Sequence, residues 1–285
     1  MPAIRPVPEP RADPALRALY DETKRVFQVP WMGVVTMAFA AYPRFWQALW
    51  RGLAPLAETR AFVEACADLR AAAEAEAEAL GPAPLSPELA RLGYAPAEVA
   101  EIRGLIEVFS HGNMPYVLTA TLARLRLEGE AASAEAPAAR FEGRHGPAAP
   151  GAGLILMEPH HADPATREVY ARVRSRLGLP FVNTDYRAYA RWPSAFAAAW
   201  SGLEAHLDDP AHGEAVDRLH HRAVALSRAL PDPGGLAPEA LEAAAAQDAS
   251  VEEVRAVVRL FQWLLPGLIL NVAVFRAQLM EDANG

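Results

Sequence analysis

DPALRALYDETKRVFQVPWMGVVTMAFAAYPRFWQALWRGL, residues 13–53, returns in altered form as DPATREVYARVRSRLGLPFVNTDYRAYARWPSAFAAAWSGL, residues 163–203. A shift of 150 residues aligns the two stretches without a gap, and thirteen of the 41 positions are identical. Asp13/Asp163, Tyr20/Tyr170, Pro30/Pro180, Pro43/Pro193, Trp50/Trp200 and Gly52/Gly202 are among them. Duplicated helical units stack so that each buries the apolar face its twin cannot bury alone. The expected fold is all-α, two tandem helical repeats forming a pseudo-twofold pseudo-dimer. The first repeat is assigned to 1–127, an Ala/Gly/Pro-rich linker to 128–159 and the second repeat to 160–285.

Helical signals recur along both halves. Leu16, Leu19, Tyr20, Val26 and Phe27 follow helical spacing behind Asp13-Pro14, a cap followed by a first-turn proline. Trp31–Ala41 is predicted to form a short helix, ended by Tyr42-Pro43, and a longer one opens at Pro43. The Ala/Glu-rich run Arg60–Leu80 favours helix, and further helices are expected from Pro96 to about Ser110 and from about Pro115 to Leu127. Arg103–Phe109 echoes Arg255–Phe261, which extends the repeat toward both C-terminal helices. No stretch alternates with period two, so no strand is expected. Within the linker, 22 of the 26 residues at 128–153 are Ala, Glu, Gly, Pro or Ser, a composition that packs no core.

Composition narrows the function classes. A hydrophobic content of 52% supplies a core, and a net charge of −8 removes the electrostatic footing for nucleic-acid binding. Cys66 is the sole cysteine, which excludes an intrachain disulfide and a cysteine-based zinc cluster. The first residues carry no apolar run of the kind a secretion signal needs, so a cytoplasmic location is expected. Leu260–Phe275 is the most apolar stretch, but it falls short of the ~20 residues of a membrane span, and Pro266-Gly267 divides it. It reads as a buried core helix.

The two copies differ where chemistry could sit. Asp185 and Thr184 replace Val35 and Val34 at the start of a short helix. Asn183 or Thr184 is a natural N-cap there, which puts Asp185 in a first turn whose dipole favours the ionised carboxylate. Such a residue can also do no more than cap and solubilise a helix start. Pro180, Phe181 and Val182 beside it, and valine in the twin copy, argue for more. The twin loop Val29-Pro30-Trp31-Met32-Gly33 carries Trp31, either core filler or pocket wall. Helix starts at both loops offer backbone N–H groups that bind anions without a basic side chain. Asn113, between two helices, is either a cap or an amide that orients a water, and the pseudo-equivalent Leu264–Gly267 has no such group. Two i, i+3 pairs, Asp217 with His220 and Glu158 with His161, do not assemble a metal ligand set, so no metal and no other cofactor is expected.

Val29-Pro30-Trp31, Gly112-Asn113 with Tyr116, and Thr184-Asp185-Tyr186 leading to Trp192-Pro193 resemble, in order and spacing, the group I DL-2-haloacid dehalogenases. These are all-helical enzymes of two fused repeats, and the similarity covers nearly the whole chain. The resemblance implies that Asp185 is the general base activating water and that Asn113 holds that water. It further implies that Trp31, Val34 and Thr184 line the substrate site, with the backbone N–H groups of the latter two on the carboxylate. Position 34 is a bulky aromatic in some members, so Val34 leaves room.

The expected function is hydrolytic dehalogenation of short 2-haloalkanoic acids to 2-hydroxyalkanoic acids, by direct attack of an Asp-activated water with inversion at C2. The expected partners are the 2-halo acid and water, without nucleic acid or membrane, and a homodimer is open. Two alternatives stand beside this. One is a related hydrolase or lyase on another small carboxylic acid, and the other is a non-catalytic helical small-acid-binding protein.

Overall fold

The computed structural model describes residues 4–132, 138–146 and 154–280. Thirteen α-helices and no strand lie among the described residues, with one isolated bridge between Thr59 and Arg140. The first helices of each half match in kind and place. Helix α1 (Pro14–Phe27) is capped by Asp13, whose Oδ1 accepts from the Leu16 N–H at 2.8 Å; α8 (Pro164–Leu177) is capped by Asp163 in the same way, from the Thr166 N–H at 3.0 Å. Left-handed residues end both, Gln28 at φ 53° and Gly178 at φ 62°.

The following pairs, α2 (Val34–Phe39) with α9 (Thr184–Tyr189) and α3 (Pro43–Ala57) with α10 (Pro193–Glu204), keep the 150-residue offset at their first residues. Each copy also latches the segment before its first helix. Tyr20 donates to the Val7 carbonyl at 2.8 Å and Tyr170 to the Met157 carbonyl at 2.7 Å. The N–H groups of Val7 and Met157 donate to the Met37 and Arg187 carbonyls, both at 2.9 Å.

Helices α4 (Arg60–Leu80), α5 (Ser86–Arg91), α6 (Pro96–Gly112) and α7 (Met114–Leu127) complete the first half, and α11 (Pro210–Ala229), α12 (Pro238–Asp248) and α13 (Val251–Leu279) the second. The compact units do not follow these halves. One unit takes Met1–Ala71, His111–Gly146 and Arg218–Gly267, and the other Ala72–Ser110, Pro147–Asp217 and Leu268–Gly285. In the first, α12 packs on α3 and α7, and Phe39, Phe45, Trp46 and Leu53 form a fully buried cluster. Gly52 permits the α3 contact, since a Cβ there would stand 2.7 Å from Leu236 Cβ. In the second, α8, α9 and α10 pack together, and Tyr186, Tyr189, Phe196 and Phe275 form its aromatic core.

An arginine closes a helix end in each unit. Arg255 of α13 donates to the Leu127 carbonyl at 2.8 Å, satisfying a C-terminal carbonyl of α7. Arg103 of α6 donates to the Leu279 carbonyl at 2.8 Å, at the end of α13. The offset is 152 residues for the arginines and for the leucines alike.

One expectation needs correction. Pro266 does not divide the apolar stretch, because α13 runs through it for 29 residues. By length and composition α13 could cross a membrane, so length does not decide; 72% of its most apolar window is buried inside the protein. The described part of the linker, though it packs no core, makes contacts. The Phe141 N–H donates to the Glu58 carbonyl, the Arg60 N–H to the Ala139 carbonyl, and Arg140 pairs with Glu58.

Candidate active site

In the first unit, the chain turns from α1 into α2 through Val29–Gly33, and four residues interlock there. Tyr116 of α7 donates to the Trp31 carbonyl at 2.6 Å. A Cβ on Gly33 would meet the Tyr116 ring at 2.9 Å, and one on Gly112 would stand 2.3 Å from Trp31 Cη2. Both glycines are therefore required by close approach. This fit buries Trp31 and sets the α6–α7 junction, with Asn113, against the start of α2.

Asn113 is 3% exposed and occupies the N-cap position of α7, yet its side chain makes no capping hydrogen bond. Its backbone is helical (φ −77°, ψ −25°), so α6 passes almost directly into α7. Capping therefore does not use its amide. Val34, half-buried, is the first residue of α2, whose N-cap Gly33 has no side chain to offer the free N–H groups.

In the second unit, Thr184 and Asp185 are the first two residues of α9 and are 3% and 6% exposed. A buried carboxylate is costly to desolvate, and a helix N-terminus offsets part of that cost. Asn183 holds the N-cap position but makes no capping bond, and its Oδ1 is buried without a partner. The expected cap is thus one of position only, and it leaves the first-turn N–H groups to other acceptors.

Arg187, one turn on, donates to Thr184 Oγ1 at 3.3 Å and to Glu158 Oε1 at 2.6 Å. Behind α9, the Asn271 amide donates to the Tyr186 hydroxyl at 3.0 Å, and its Oδ1 lies 3.2 Å from His212 Nε2. Burial pushes the Tyr186 hydroxyl's pKa up, and the Asp185 charge adds to that. Burial pushes His212 below its ordinary value against the pull of its Asn271 bond.

The structure thus groups Trp31, Val34 and Asn113 in one unit and Thr184 and Asp185 in the other. Sequence reasoning missed Arg187 and Asn271, and weighed Glu158 only as a metal ligand. Asn271 was open to detection, as a lone amide inside the apolar run Leu264–Phe275. Among the described residues no three His, Cys, Asp or Glu side chains gather at metal-binding distance.

A family model described as "Halocarboxylic acid dehydrogenase DehI" matches residues 30–179. An (R)-2-haloacid dehalogenase of Rhizobium sp. (strain NHG3) is 49% identical over 83% of this chain and 91% of its own length. One of Pseudomonas putida is 36% identical over 98% of this chain and 93% of its own. A crystal structure described as a D-2-haloacid dehalogenase mutant superposes with a TM-score of 0.89 at 34% identity, covering 98% of this chain and 97% of the other. This chain belongs to the DehI family, among relatives named as 2-haloacid dehalogenases.

Proposed function

We propose that this protein hydrolyses short 2-haloalkanoic acids to 2-hydroxyalkanoic acids, with Asp185 taking a proton from the water that attacks C2. The observation that carries the reading is the buried carboxylate in the first turn of α9, where the other copy has Val35. Ionised, it accepts a proton, and a helix start favours the ionised form. Asn113, whose amide is not spent on capping, orients the attacking water. Trp31 and Val34 contact the alkyl part of the substrate, and the N–H groups of Val34 and Thr184 hold its carboxylate, as anions are held at helix starts.

The relatives' names supply the (R) substrate, and a single in-line displacement then yields the (S) product. A cytoplasmic location, a homodimer and the descent of both halves from one duplicated unit belong to the same proposal. Two matched latches and two matched arginine closures support the duplication.

The test is halide release from (R)-2-chloropropionate by Asp185→Asn. An amide takes no proton from water, so turnover should fall by about 10²-fold or more while helicity is kept. A variant retaining above about a tenth of the rate rejects Asp185 as base.

A further inference from the structure

Seven threonines are buried among the described residues, and six of them turn their proton inward. Thr23, Thr36, Thr59, Thr119 and Thr121 donate to backbone carbonyls within four residues, and Thr166 donates to the Asp163 carboxylate. Thr184 does the opposite. Its Oγ1 accepts from Arg187 Nη2, which leaves its own proton to donate elsewhere.

Arg187 is itself held. Its Nη1 donates to Glu158 Oε1 at 2.6 Å, its side chain is 15% exposed, and its Nε is buried without a partner. A purely structural account has Arg187 and Glu158 fastening the segment before α8 onto α9. The first copy tests that account. There Met37 and Pro8 stand at the equivalent positions, yet the backbone bond from Val7 to Met37 and the Tyr20 latch both form. The fastening needs no ion pair. The ion pair belongs to the copy that carries Asp185.

We propose that Arg187, buttressed by Glu158, is a positioning residue for the substrate carboxylate: by donating to Thr184 Oγ1 it aims the threonine hydroxyl at the anion. The inference rests on the reading of Thr184 as a substrate contact.

The test is steady-state kinetics with (R)-2-chloropropionate on Arg187→Met, which installs the first copy's residue, Thr184→Val and the double variant. Removing a charge-assisted hydrogen bond that acts mainly in binding should raise KM by roughly tenfold, with kcat within about threefold. The double variant should be no worse than Thr184→Val alone, because Arg187 acts through Thr184. An unchanged KM in Arg187→Met, or penalties that multiply in the double variant, overturns the inference. Should Arg187→Met fail to fold, Arg187→Ala, which removes the donor with a smaller side chain, gives the same KM readout and decides in its place. Turnover persisting in Asp185→Asn would instead overturn the underlying reading of the site.

Discussion

Asp185 and Asn113 share a property that decides their interpretation: each sits at a helix start without serving as its cap. Asn113 makes no capping bond, and the cap position of α9 belongs to Asn183. If Asn113 orients water, Asn113→Ala should lower kcat by about tenfold or more and leave KM nearly unchanged, since orientation acts on the barrier. Steady-state kinetics checks this, and a raised KM with normal kcat would place Asn113 on the substrate instead. The sequence pointed to both residues because each is polar where its counterpart in the other half is apolar. It did not point to the pairing of Arg187 with Glu158, which joins residues 29 apart and follows from how the loop before α8 lies on α9.

Helix starts were legible from Asp-Pro and Tyr-Pro or Trp-Pro pairs, and they fall where α1, α3, α8 and α10 begin. Interruptions were not legible. Pro266 signals a break locally, but α13 is buried along most of its length, and that packing holds the helix through the proline. The linker shows the converse: Arg140, Phe141, Arg144 and His145 are its four residues at 128–153 outside the low-complexity set, and anchoring contacts are made by Arg140, Phe141 and His145. Glycines carry the tightest geometry at this scale. Gly112→Ala should push its Cβ into the Trp31 ring and destabilise the protein by about 1–3 kcal/mol, as overpacking does. Thermal unfolding would measure it, and an unchanged midpoint would show that the junction yields freely.

Sequence halves and compact units are different partitions of this chain. The repeat is legible in order and spacing, but the sequence could not show that α3 and α7 pack on α12, which lies in the other half. Duplicated helical units each leave an apolar face that the unit cannot cover alone, and here α12 covers α3 and α7. Residues 1–127 expressed alone should therefore lack a cooperative thermal transition, and circular dichroism melting would reveal one if α12 and α13 were dispensable. At this scale the central claim is that one water, activated by Asp185, displaces the halide directly. A covalent route through Asp185 would also invert C2, but hydrolysis of the ester at its carboxyl carbon would leave a carboxylate oxygen in the first product and put the solvent oxygen on Asp185. The decisive measurement is a single turnover of (R)-2-chloropropionate in H₂¹⁸O with enzyme in excess. The account predicts fully labelled product of inverted configuration and an unlabelled peptide around Asp185; label in that peptide, or retention at C2, would contradict it.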